Sequence, residues 1–379
     1  MPDRVRVGIL GLGAVAQAVH LPILDRLGER FEIAAIADLS ATLVERIGAR
    51  YRVPSGAQFG SLEALLAGPE LDGLLILTSG SHGAAVLAGL DRGLAVFAEK
   101  PLAWTLAEAD AIAGKLAGDP RGKLQVGYMK LYDPAVVDGV AAVSDVTRVG
   151  PVRSIEVCVL HPTSERQLAH ARLLPPPTDI DAGTIAILTA EGDRLRALAL
   201  GPAAQALGAL YSNIVLGSIV HELALIRVFC GDPTSIDAVD VWPADRWPPS
   251  VSVTGQLPGD ARFAIRWHFL PEYPAYREEV RVVTDQATVE VAFPSPYLLH
   301  APTGLRIAEA NGPGRRDTIH RAYAEAFEEE LLAFHALVTG GAVPKAGVVE
   351  GRADIVTSQR IVARRAAQTG QAIAIEASA

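Results

Sequence analysis

The chain has 379 residues, half of them hydrophobic and one-fifth charged, which is too long for one ordinary core and fits two domains. Its 34 Lys plus Arg against 43 Asp plus Glu give a net charge of -9 with no basic stripe, so nucleic acid is not an expected partner. Two widely separated cysteines, Cys158 and Cys230, suit neither a zinc or redox motif nor a disulfide framework, and no metal site is expected.

The N-terminal "MPDRVRVGIL" lacks the long apolar core of a secretory signal, and a cytoplasmic location is expected. Strand-like "VRVGIL", a helix from about Ala14, "EIAAIAD", a helix near Ala41 to Tyr51, "DGLLILTS", a helix near Ala84 to Arg92 and "LAVFAEK" follow one another. Strands alternating with helices at this spacing read as βαβ units of a doubly wound parallel sheet.

The first strand runs into Gly11-Leu12-Gly13-Ala14-Val15-Ala16, a glycine-rich turn that opens a helix. Gly11 permits the tight turn, Gly13 lets backbone approach a pyrophosphate, and Ala16 allows close helix-strand packing. Asp38, 22 residues beyond Ala16, ends the second strand where an acid accepts from the adenosine ribose hydroxyls. Such an acid repels a 2′-phosphate and Leu39 supplies no basic partner for one, so NAD is expected rather than NADP. A simple strand-end cap is the competing role for Asp38.

In "AVFAEKPLAW" an apolar run ends in Glu99-Lys100 and is locked by Pro101. Proline pushes the preceding residue out of helical geometry, so Lys100 is held extended at a strand exit, where open α/β sheets place their ligand crevice. Glu99 points to the opposite side of the chain. A surface ion pair between the two is the alternative.

Beyond about Gln125 the pattern becomes α+β. In "RFAIRWHFL" Phe263, Ile265, Trp267 and Phe269 alternate with Arg262, Ala264, Arg266 and His268, which predicts a half-buried antiparallel strand. "SVSVTGQL" is its hairpin partner, "EVRVVT" and "ATVEVAF" form a second hairpin, and helical periodicity returns in "AYAEAFEEELLAFHALV". The stretch from His161 to Asp181, with Pro175 to Pro177, is too long for a simple connection and reads as a functional loop. Ala197 to Val220 carries no charge but is broken by Gly201-Pro202 and rich in small residues, which predicts buried core rather than a membrane span.

With "GLGAVA" and "AEKP" joined by "LTSGSHGAAVLAGLDRGLAVFAEKPLA", "VGYMKLYDP", "HELALIRVFCGDP", "FEEELLAFHALVTGG" and "EGRADIV", the chain resembles the Gfo/Idh/MocA oxidoreductases along nearly its full length. The resemblance implies an NAD(P)-dependent dehydrogenase of sugars or cyclitols: a Rossmann domain, residues 1–126, then an α+β substrate domain, residues 127–379, with a large mainly antiparallel sheet. It implies a homo-oligomer, dimer or tetramer, acting on a polyol or carbohydrate. It places Glu99 and Lys100 beside the nicotinamide, Thr78, Ser79, Gly80 and His82 around the cofactor, Tyr128 and Lys130 in the pocket, and His221 as the proton-transfer residue with Lys100. Where many relatives carry aspartate four residues before that histidine, this chain has Gly217. A glycoside-cleaving enzyme that transiently reduces bound NAD, and a nucleotide-binding regulator on the same scaffold, remain as alternatives. Without the resemblance, His221 on an apolar helical stripe with Leu225 and Val228 also reads as a core histidine.

Overall fold

The structure is a computed structural model that describes residues 4–119 and 122–378. Six strands, β1 (Val5–Leu10), β2 (Phe31–Ala37), β3 (Gln58–Phe59), β4 (Gly73–Ile76), β5 (Ala95–Glu99) and β6 (Lys123–Gly127), form a parallel sheet in the order β3-β2-β1-β4-β5-β6. The strands nearest the middle are buried along their whole length, as their unbroken apolar runs require when helices cover both faces. Strand order reverses between β1 and β4, which opens a crevice at their carboxyl ends. The glycine turn after β1 and the Thr78–Gly80 loop after β4 line that crevice. The sixth strand runs to Gly127, so the expected domain boundary at 126/127 falls at its last residues.

The second sheet contains β7 (Val152–His161), β8 (Ser235–Trp242), β9 (Ser250–Gln256), β10 (Arg262–Phe269), β11 (Arg277–Thr284), β12 (Ala287–Phe293), β13 (Gly304–Asn311) and β14 (Gly314–Arg321). Their order is β14-β13-β12-β11-β7-β10-β9-β8. Both hairpins expected from the alternation are present, β9 with β10 and β11 with β12. On its other side, however, β10 pairs with β7 in parallel along its full length. That partner lies a hundred residues earlier, and local alternation carries no information about it. The inner face, including Ile155, Val157, Val159, Phe263, Ile265 and Trp267, is buried against helices. Arg262, Arg266, Glu279 and Arg281 stand on the outer, exposed face.

Residues 182–230 are almost continuously helical: Ala182–Leu200 ends at Gly201 (φ +55°), and Ala204–Ala209, a π-helical segment Leu210–Ile219 and Val220–Cys230 follow. This run is long and apolar enough to cross a membrane. Its part over 200–226 lies in the core instead, with Tyr211, Val215, Leu216, Ile219 and Leu225 fully enclosed.

Two C-terminal helices tie the sheets together. Ala326–Gly340 returns to the parallel sheet, where Phe327, Leu331, Phe334 and Leu337 join the first core. The Phe334 ring meets Phe97 edge-on at 5.8 Å and packs where only hydrogen stands on Gly73, since a Cβ there would lie 3.1 Å from the ring. Val348–Gln368 sends Ile355 against Ala103 and Leu106, and Ile361, Val362 and Ala366 into the second core. Removing the Phe334 ring leaves a cavity under β4 and β5. Phe334→Ala is therefore expected to cost about 3–5 kcal/mol in urea unfolding, and a loss below about 1 kcal/mol would contradict this packing.

Candidate active site

A cleft of about 360 Å³ opens at the carboxyl ends of β4 and β5, between the two sheets. The first domain lines it with Val15, Thr78, Ser79, Gly80, Glu99, Lys100, Pro101 and Trp104, and the second with Met129, Ser212, Asn213, Gly217, His221, Pro296, Tyr297 and Phe327.

The nucleotide end is shaped by backbone. At Gly11, φ is +92° and a Cβ would lie 2.8 Å from Thr78 N, so no other residue fits this crossing of β1 and β4. Gly13 faces open space, with no atom within 4 Å of where a Cβ would project, and Gly13 and Ala14 are exposed. The chain turns helical at Ala14. This bare, accessible turn before a helix fits a pyrophosphate. Asp38 Oδ2 accepts from Leu12 N at 2.8 Å and its Oδ1 from Ser40 N at 2.9 Å. The half-buried carboxylate thus braces the turn while flanking the same corner of the site.

The Thr78–Gly80 loop is secured from behind. Both ring nitrogens of buried His82 face carbonyl oxygens, Nδ1 that of Pro101 at 2.7 Å and Nε2 that of Thr78 at 2.8 Å. Ser81 Oγ donates to Glu108 Oε1 at 2.6 Å, and Glu108 also closes a capping box with Thr105. His82 therefore joins the loop to the Glu99-Lys100-Pro101 turn and is not itself among the cleft-lining side chains.

Lys100 leaves β5 through a cis bond to Pro101 and points across the domain junction, its Nζ donating to Gly217 O at 2.5 Å. Glu99 turns the other way: Oε1 bonds fully buried His20 Nε2 at 2.8 Å, and Oε2 accepts from Lys100 N at 3.2 Å. Burial pushes the Lys100 ammonium below its ordinary pKa, against the opposing pull of Glu99 and Glu222 and with the help of Lys130. His221 is held well below its ordinary pKa by burial and by the charges of Lys100 and Lys130, and its Nδ1 is buried without a partner. A neutral imidazole and an ammonium whose pKa is lowered by burial share one cleft, two groups of the kind that can handle a hydroxyl proton.

Two expected pocket residues lie elsewhere. The Tyr128 hydroxyl donates to Asp354, which also receives Arg227; the buried Tyr128 ring backs His221 edge-on at 6.5 Å and does not line the cleft. Buried Lys130 ion-pairs with Glu278 and, at 3.4 Å, with Glu222, and its ammonium stands 5.4 Å over the Phe293 ring. Burial and Glu278 push Glu222 up to about 8 despite Lys130. Lys130 faces a small neighbouring cavity of about 40 Å³.

Trp104, Ser212, Asn213 and Tyr297 line the cleft without having been expected there. Asn213 had a signal, because it precedes Gly217 by four and His221 by eight residues, the spacing of one helical face. Tyr297 sits in a loop, where no periodicity points to it.

Removing the Lys130 ammonium leaves two buried carboxyl groups without their shared cation. Lys130→Ala is expected to lower stability by about 3–5 kcal/mol in denaturant titration. Wild-type stability with only a raised KM would instead put this ammonium on a substrate.

Residues 5–128 match the model of the oxidoreductase family with an NAD-binding Rossmann fold. Inositol 2-dehydrogenase 3 of Saccharopolyspora erythraea is 36% identical over 136 residues, covering 34% of this chain and 37% of that protein. Inositol 2-dehydrogenase/D-chiro-inositol 3-dehydrogenase of Lacticaseibacillus casei is 31% identical over 133 residues, covering 35% and 38%. The chain thus aligns with well under half the length of these curated relatives. Two solved structures extend the likeness in fold to the whole chain. Apo scyllo-inositol dehydrogenase from Lactobacillus casei has a TM-score of 0.69 at 16% identity, covering 100% of this chain and 99% of that one. UDP-N-acetylglucosamine 3-dehydrogenase from Acidithiobacillus ferrooxidans has 0.68 at 19%, covering 96% and 98%. Residues 5–128 thus match the NAD-binding Rossmann domain of that oxidoreductase family, and the whole chain shares the two-sheet fold of these solved dehydrogenase structures.

Proposed function

We propose that the protein is an NAD-dependent dehydrogenase that reversibly oxidises a ring secondary hydroxyl of a cyclitol or sugar. The observation that carries this reading is the convergence of Lys100 and His221 in one cleft that continues to the glycine turn. The inositol dehydrogenases matched over the first third of the chain support a polyol substrate.

Gly11 to Val15 would hold the pyrophosphate, Asp38 the adenosine ribose, and the Thr78–Gly80 loop with Glu99 the nicotinamide end. Bound NAD supplies a hydride acceptor. The protein's part is to place the substrate and take its proton. One Lys100 N–H is spent on Gly217 O, which fixes the direction of its nitrogen, and in the deprotonated form the lone pair takes the proton of the substrate hydroxyl. His221, neutral across the neutral range, is a second acceptor for that proton in the same cleft. Asn213, exposed on the same side of the cleft, offers an amide to a neighbouring hydroxyl. Gly217 contributes a carbonyl where the family resemblance implies an aspartate in many members, so Lys100 is anchored without a neutralising charge and its pKa stays depressed.

The outer face of the second sheet, with its exposed arginines and glutamates, is our candidate for subunit contact in a homo-oligomer.

A screen of inositols and aldoses for NAD+ reduction tests the activity, and no absorbance change with any polyol despite dinucleotide binding would oppose it. Lys100→Met and His221→Ala are each expected to lower kcat by about 10²–10⁴-fold while NADH still binds; normal turnover in either removes that residue from the mechanism. Because deprotonated Lys100 is the reactive form in the oxidation direction, kcat/KM for oxidation should climb with pH through a value below 10.5, the ordinary lysine pKa. That limb should be missing from Lys100→Met. Persistence of the same limb in the variant would assign it to another group.

A further inference from the structure

The stretch between β7 and the helix Ala182–Leu200 crosses back over the nucleotide domain and is fastened there. Gln17 Nε2 donates to Leu12 O at 2.8 Å, while its Oε1 accepts from Leu174 N at 2.9 Å, so Leu174 is tied to the glycine turn through one side chain. Five residues on, Asp179 accepts from Ser40 Oγ at 2.6 Å and from Thr42 N at 2.8 Å. Pro175, Pro176 and Pro177 span the gap, their fixed φ favouring an extended path. The two anchors bracket the corner between the glycine turn and Asp38, the corner assigned above to the adenosine ribose.

Ser40 stands at the centre of that corner. Its N–H donates to Asp38 Oδ1 and its hydroxyl to Asp179 Oδ1, so two carboxylates flank one residue at the end of β2. The hydroxyl of Ser40 and the N–H of Thr42 are the donors an incoming phosphate group would seek at the start of the helix Ala41–Tyr51. Asp179 already uses both. Those hydrogen bonds hold its carboxyl down at about 2, so it is anionic at any working pH. Leu39, beside them and largely exposed, brings no positive charge.

We propose that Asp179, reaching over from the second domain, is a cofactor-specificity residue that bars the 2′-phosphate of NADP(H) from the nucleotide site. A 2′-phosphate entering there meets two carboxylates where Asp38 alone would give one. It also finds its hydrogen-bond donors taken, and it must lift the segment off its anchor to reach them. The proposal rests on the nucleotide-binding reading above and deepens it with a residue outside the matched Rossmann region.

The test titrates wild type, Asp179→Asn and Asp179→Ala with NADH and with NADPH, by fluorescence at fixed low ionic strength. The quantity read is the ratio of the NADPH to the NADH dissociation constant, because a loosened segment would weaken both cofactors together while a lost charge acts on NADPH. In both variants the ratio is expected to fall on the order of tenfold, the effect of freeing charge-assisted donors. The fall should shrink as salt is added, since the group is exposed. An unchanged ratio in both variants, with tight NADH binding, removes Asp179 as a determinant and leaves the nucleotide reading standing. A wild-type preference for NADPH overturns the proposal outright, and a wild type that binds neither dinucleotide overturns the nucleotide reading together with it.

Discussion

The contact on which the site depends is the hydrogen bond from Lys100 Nζ to Gly217 O. It joins the end of β5 to a helix of the second domain, and it does so with a half-buried ammonium whose hydrogen-bond partner among the described residues is a carbonyl, not a carboxylate. Each half of the fold prepares one end of it. The parallel sheet delivers Lys100 at a strand exit, with His82 joining the neighbouring loop to the Pro101 carbonyl. The π-helical segment Leu210–Ile219 delivers the Gly217 carbonyl and sets Asn213 and His221 on the same side. A carbonyl stabilises an ammonium by its dipole alone, so the desolvation that lowers the lysine's pKa is only partly offset.

The charges around this contact are kept apart in separate compartments. Glu99 is turned onto His20, Lys130 onto Glu278 and Glu222, and Arg227 onto Asp354. Each pairing ties a charged group to a partner other than Lys100 Nζ and His221, the two groups assigned to the proton. Tyr128, in contact with Asp354 on one side and His221 on the other, gives the imidazole a rigid wall.

Much of this was legible in the sequence wherever a local pattern dictated it. The glycine turn, Asp38, the lysine-proline exit and the alternation in β9 to β12 all depend on residues close to one another in the chain, and the structure contains each of them. What the sequence did not show depends on distant partners. Nothing near Lys130 announces that two glutamates 92 and 148 residues later will take its ammonium. The parallel pairing of β10 with β7 is equally silent, as is the docking of Asp179 on Ser40 across 139 residues. The long stretch from His161 to Asp181 could be recognised as unusual, but its destination is fixed by Gln17, Ser40 and Thr42 in the other domain.

The most direct test is a pH titration of the Lys100 side chain by nitrogen-15 NMR of the lysine-labelled protein, with Lys100→Met identifying the resonance. Held by a carbonyl and stripped of much of its water, Lys100 should titrate clearly below the ordinary lysine value of 10.5. A midpoint at or above 10.5 would show an ammonium stabilised as a permanent cation, and would contradict its assignment to proton transfer.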